Sequence, residues 1–159
     1  MPNTIPTIGK SAPAIKLPAS DGSTFNLADH KGKVVIVYFY PKADTPGCTK
    51  EACGFNDALA KFKKLGVAVV GISPDPVKDV TKFSTKFSLG FPLLADEDHA
   101  VTDAYGLWVE KAMYGKKYMG AARTTFIIDK TGKVAHVFEK VKPEGHDAEV
   151  LTFLESAKL

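Results

Sequence analysis

Arginine is almost missing from this chain. Of 21 cationic side chains one alone, Arg123, is arginine, and the rest are lysines scattered mostly near acids. A lone guanidinium in such a background points to a site needing a planar, permanently charged fork. Drift in composition accounts for it equally well. Cysteine is scarce too: Cys48 and Cys53 are the only two, which excludes a disulfide-dense secreted scaffold. No apolar run approaches the ~20 residues of a membrane span. The longest is Val34-Val-Ile-Val-Tyr-Phe-Tyr40. The first ten residues, Met1 to Lys10, hold neither a basic segment nor an apolar one, so no export signal is expected and the chain reads as cytoplasmic. The net charge of +3 comes without a basic stripe interleaved with aromatics, its densest knots being Lys61–Lys64 and Lys116–Lys117. That disfavours a nucleic-acid partner. Ser/Gly linkers, internal repeats and low-complexity tracts are absent as well, so residues 1–159 read as one domain.

What is present is an ordinary globular composition, 45% apolar and 25% charged. A chain of this length buries roughly 70% of its unfolded surface and needs no staples. Ala14–Leu17 and Thr24–Leu27 flank a turn at Ser20-Asp-Gly22 and read as an N-terminal hairpin. Val34–Tyr40 is apolar throughout, as a strand covered on both faces is. A helical pattern then runs to Leu65, with Thr45 as N-cap, Pro46 at the first helical position and Gly66 as the C-terminal cap. Ala52, Phe55, Leu59 and Phe62 make its core-facing stripe. Val67–Ile72 reads as a second buried strand, and Asp75–Lys86 as a helix burying Val77, Val80 and Phe83. Pro92–Ala95 is a short strand and Asp98–Tyr105 a short helix. Gly106–Ala122, glycine-containing and lysine-rich, reads as a long loop. Thr124–Ile128 and Lys133–Phe138 form a hairpin about Asp129–Gly132, and a last helix spans about His146 to Ala157. The order predicts an α/β fold: a central mixed sheet with helices on both faces and an antiparallel edge, of the thioredoxin-like kind.

Cys48 falls about the third residue into its helix, where free N–H groups and the positive end of the dipole meet. Only the thiolate is a nucleophile, and such helix starts favour it. The position at the C-terminal end of a central strand is also where α/β sheets keep their sites. The competing reading is a small buried hydrophobe. Cys53 follows five residues later. On an intact helix the two Cα atoms stand roughly 8.6 Å apart and about 140° round the axis. A disulfide accepts at most about 6.8 Å. Either Cys53 is a packing residue, or the pair is a dithiol that works by local unwinding. Gly47 and Gly54 weaken the segment and favour the second.

Other chemistries fit poorly. The two cysteines and the scattered His30, His99, His136 and His146 match no zinc spacing, so no metal is expected. Each histidine reads as a surface or edge residue. Cys-x-x-Cys is absent, and no arginine follows Cys48 closely enough for a phosphatase loop.

Pro41-x-x-x-Thr45-x-x-Cys48 resembles the active-site motif of the peroxiredoxins. The wider Tyr38–Cys53 segment, with Tyr105-Gly-Leu-Trp108, Met113-Tyr-Gly-Lys116 and Arg123-Thr-Thr-Phe-Ile-Ile-Asp129, is similar to their bacterioferritin comigratory protein (PrxQ) branch. The likeness covers essentially the whole chain. It implies a thioredoxin fold and a peroxidatic cysteine, Cys48, that attacks hydroperoxides. In that branch a cysteine five residues on, here Cys53, resolves the sulfenic acid within the same subunit. Thioredoxin as reductant, a mainly monomeric enzyme and no cofactor are implied too. In such a site Arg123 holds the thiolate and the peroxide oxygens and Thr45 offers its hydroxyl. Pro41 shields the sulfur, and backbone N–H groups near Gly47 complete the pocket for substrate. Two rivals stand beside this: a general thiol–disulfide oxidoreductase, and a non-catalytic redox sensor or holdase.

Overall fold

The structure is a computed structural model describing residues 4–157 and 159. Its centre is β3 (Val34–Phe39), all six of whose residues are buried. Alternate side chains leave opposite faces of a strand. Val34, Ile36 and Tyr38 enter one core, and Val35, Val37 and Phe39 the other. Parallel to β3 lie β4 (Val67–Ser73) and then β5 (Leu93–Ala95). On its other side β8 (Thr124–Ile128) runs antiparallel, followed by β9 (Val134–Phe138), giving a mixed five-stranded sheet ordered β5-β4-β3-β8-β9.

The first core is closed by α1 (Pro46–Asp57), α2 (Leu59–Lys64), α3 (Val77–Lys86) and α5 (His146–Ala157), through Phe55, Phe62, Phe83 and Val150. The second is closed by α4 (Ala100–Ala104) and by the N-terminal hairpin β1 (Lys16–Pro18) and β2 (Thr24–Asn26), through Leu17, Phe25 and Val101. This is the thioredoxin-like arrangement expected.

Four local expectations are corrected. The single helix to Leu65 is interrupted at Ala58, beside Asn56, whose Oδ1 accepts from Gly90 N–H at 2.7 Å and whose Nδ2 donates to Ser88 O at 3.3 Å. Val77 is 40% exposed, because it begins α3 ahead of the turn that carries Val80 and Phe83 onto the sheet. Gly106–Ala122 is not a loop: β6 (Trp108–Met113) and β7 (Lys116–Ala121) pair antiparallel across Tyr114-Gly115, whose φ of +52° and +76° give the primed turn that suits a two-residue hairpin. Most of that ribbon stays exposed, so its sequence never needed the alternation that betrays a half-buried strand. The fourth concerns His146, which is buried rather than on the surface. Its Nε2 lies 2.8 Å from Thr125 Oγ1 and its Nδ1 2.9 Å from Glu149 Oε1, so both ring nitrogens are partnered.

Candidate active site around Cys48

The chain leaves β3 through Tyr40 and Pro41, then turns into α1. Pro41 is half-buried on that bend. Two tethers hold the connection: Asp75 Oδ2 accepts from Ala43 N–H and from Ser73 Oγ, both at 2.7 Å. Thr45 has the extended backbone of an N-cap, φ −97° and ψ 156°, but its side chain does not cap the helix. Its hydroxyl donates instead to Lys42 O at 2.9 Å, which corrects the capping role expected for that side chain. With that proton engaged, the Thr45 oxygen is left as an acceptor. The start of α1 therefore lacks a side-chain cap, has no acid in its first turn, and carries Gly47 there. Such a helix end is held by packing more than by its own propensity.

Cys48, the third residue of α1, is 1% exposed. Arg123 stands 75 residues away, and sheet register brings it back. Phe39 pairs with Thr124 in the antiparallel β3–β8 ladder, so the residue before Thr124 arrives opposite the end of β3, where α1 starts. Arg123 Nη2 donates to Cys48 Sγ at 3.3 Å. A Cβ on Gly47 would stand 3.3 Å from that same Nη2 and 3.4 Å from Pro143 Cγ, so glycine leaves room for the guanidinium to come close to the first turn. Cys48, Gly47 and Arg123 thus form one contact group; Thr45 and Pro41 border it on the approach loop. Cys53 is half-exposed further along the same helix, and neither cysteine is in a disulfide. Burial and the nearby Asp57 push the Cys53 thiol up.

One residue of this group is invisible to motif spacing alone. Glu51, one turn after Cys48, has a fully buried side chain whose Oε1 accepts from Arg123 Nη1 at 2.7 Å. The guanidinium is bidentate between a carboxyl and a sulfur. Burial opposes the Arg123 charge, but Cys48 and Glu51 outweigh it and hold the guanidinium above its ordinary value. Burial also pushes the Glu51 carboxyl up to about 7, against the lowering pull of Arg123. A signal for it was available. Positions 48, 51, 52 and 55 share one helical face, so an acid sits on the apolar stripe.

The pH consequence follows from the sign of that shift. An unfolded Glu loses its proton near 4.3, the folded one near 7, so the folded state binds more protons between those values. Stability therefore falls as pH climbs through that window and stays lowered above it. Glu51→Gln keeps an acceptor for Arg123 and cannot ionise. Urea unfolding at pH 4.5 and pH 8 is expected to show the variant gaining up to about 3 kcal/mol on the parent across the interval. A difference that does not change with pH would contradict the burial assigned to this carboxyl.

A buried cysteine opening a helix on a thioredoxin-like sheet, with a guanidinium aimed at its sulfur, is an arrangement suited to a thiol-dependent redox enzyme. The profile of the AhpC/TSA family matches residues 8–137. The peroxiredoxin Bcp of Escherichia coli K12 is 48% identical over 146 residues, 92% of this chain and 94% of the relative. That of Bacillus subtilis is 44% identical over 147 residues, again 92% and 94%. A solved structure of Xanthomonas campestris bacterioferritin comigratory protein, from work on its alkyl peroxide reduction, superimposes with a TM-score of 0.89 at 38% identity, covering 96% of this chain and 100% of that one. The chain belongs to the AhpC/TSA family and is a thiol peroxidase of its peroxiredoxin Bcp/PrxQ group.

Proposed function

We propose that Cys48 is the peroxidatic cysteine and Cys53 its resolving partner, in a single-domain, monomeric, cytoplasmic enzyme that reduces hydrogen peroxide and organic hydroperoxides and is recycled by thioredoxin or a similar dithiol. The observation that carries this reading is the Arg123 Nη2–Cys48 Sγ contact of 3.3 Å. Cys48 as thiolate attacks the terminal peroxide oxygen: the S–O bond forms, the O–O bond breaks, and the leaving oxygen takes a proton as water or alcohol. Arg123 is the fork that stabilises charge on sulfur and on both oxygens as it moves. Thr45, its own proton engaged with Lys42 O, accepts from the hydroperoxide O–H. Pro41 keeps bulk water from the sulfur and adds no N–H that needs a partner. The backbone near Gly47 donates to the bound peroxide.

Resolution requires α1 to open, because an intact helix keeps Cys48 and Cys53 too far apart to bond. Several features make its start easy to open: the missing Thr45 side-chain cap, Gly47, and a hold that rests partly on Pro143 and on the exposed Lys50–Glu144 pair at 3.5 Å. Once the sulfur is a sulfenic acid its charge no longer binds Arg123, and opening becomes easier. Cys53 then attacks Cys48, the S–S bond forms and water leaves.

Cys53→Ser tests the pairing. It is expected to consume one equivalent of peroxide at the parent rate, to stop as a sulfenic acid trapped by dimedone, and to fail in cycling with thioredoxin. Normal cycling would show that an external thiol resolves the enzyme. Stopped-flow fluorescence separates this reading from a sensor or holdase. Trp108, the sole tryptophan, stacks on His99 at 3.9 Å and serves as reporter. A rate constant no greater than that of free cysteine would favour the sensor.

A further inference from the structure

Two groups that carry negative charge when ionised, the Cys48 sulfur and the Glu51 carboxyl, share one guanidinium in a buried setting. Glu51 Oε2 has no hydrogen-bond partner among the described residues, and neither has Tyr38 Oη in the same core. An unpartnered carboxylate oxygen in a dry site is far costlier than an unpartnered carboxyl. If sulfur and carboxyl both ionise, the trio carries a net negative charge; if one keeps a proton, it is neutral. We infer that Glu51 is a proton-holding positioning residue: it is protonated while Cys48 is a thiolate, and surrenders that proton when oxidation removes the sulfur's charge. This rests on Cys48 being the peroxidatic cysteine.

The balance closes without solvent. Thiolate, protonated Glu51 and hydroperoxide become sulfenic acid, Glu51 carboxylate and alcohol or water. The sulfur gains oxygen as the O–O bond accepts its electron pair. The hydroperoxide hydrogen stays on the transferred oxygen, and the proton lost by Glu51 matches the one taken by the leaving oxygen. Glu51 acts through Arg123. While protonated it leaves the guanidinium charge to the sulfur and the peroxide; once ionised it draws that charge to itself and loosens the grip on Cys48 before α1 opens.

The surroundings agree with this assignment. From β3 and the residue just past its end, Tyr38 and Tyr40 face the group, and burial pushes both phenols well up, so they remain neutral. Arg123, ahead of β8, is the one cation acting on Glu51 among the described residues. Lys111 of β6 feels burial, Arg123 and Cys48, and its ammonium donates to Ala121 O. His146 of α5 is felt by Arg123, and burial favours its neutral form.

The experiment starts from Cys53→Ser, arrested at the sulfenic acid, mixed with hydrogen peroxide at pH 6 in weak buffer with a pH indicator. Proton uptake should be close to zero per sulfenic acid formed, and about one when Glu51→Gln is added. Infrared difference spectra of the same Cys53→Ser protein should show a protonated-carboxyl band lost on oxidation and absent when Glu51 is Gln. Uptake of a full proton by Cys53→Ser alone, or no such band, overturns the inference while leaving the peroxidase reading intact. Absence of any sulfenic acid overturns that reading, and the inference with it.

Discussion

Cys48→Ser is expected to abolish peroxide consumption. A serine hydroxyl is essentially un-ionised at neutral pH, and an alcohol oxygen has no route to the oxygen-transfer chemistry of a sulfur. Removing a reacting nucleophile costs on the order of 10⁴ or more in rate, and here no second group stands ready to replace it. Cys53 is half-exposed and is held toward its thiol form by burial and Asp57. The fold should survive: the replacement is slightly smaller, and its oxygen still accepts from Arg123 in place of sulfur. The check is peroxide loss followed directly, beside a thermal melt showing the variant folded. Substantial turnover by a folded Cys48→Ser protein would move the chemistry elsewhere.

How much of this was legible beforehand depends on how far each cause extends along the chain. Val34–Phe39 is buried on both faces, so its pattern announces a central strand, and Pro46 and Gly66 punctuate the helices that follow. The β6–β7 ribbon gave no comparable signal, since exposed residues such as Tyr114 and Met119 are under no burial constraint. Cys48 was readable from its place at a strand-to-helix turn. The rarity of Arg123 marked it out, but only the Phe39–Thr124 register explains why it meets a sulfur so distant in sequence. Glu51 and His146 show the opposite failing. Glu51 is marked only as an acid on an apolar helical stripe and His146 not at all, and their roles appear once the tertiary partners, Arg123 for one and Thr125 for the other, are in place. Buried polar groups are specified by what they bind, and a single sequence displays one partner at a time.

Arg123→Met carries the second large effect. The guanidinium holds Cys48 Sγ at 3.3 Å with one nitrogen and Glu51 Oε1 at 2.7 Å with another, a task that needs a fork. Removing one aimed donor from a transition state that redistributes negative charge slows reaction by roughly 10²–10³. Lysine restores a point charge without the fork, so Arg123→Lys should recover part of that loss and still run more than about tenfold below the parent. A pH readout separates this from simple misfolding. Without Arg123, nothing draws the Glu51 carboxyl down, and burial alone acts on it. The folded state then keeps its Glu51 proton to still higher pH than the unfolded chain does. Arg123→Met should therefore lose more stability at pH 8 than at pH 5, by up to about 1.4 kcal/mol, the linkage of the one further pH unit above the parent's Glu51 ionisation at about 7. Adding Glu51→Gln should remove most of that pH-dependent loss while leaving the peroxide reaction slow. If the double variant stays as pH-sensitive as Arg123→Met, the carboxyl is not the group that Arg123 neutralises. If Arg123→Met reacts with peroxide at the parent rate, the guanidinium is aimed at the sulfur for packing alone.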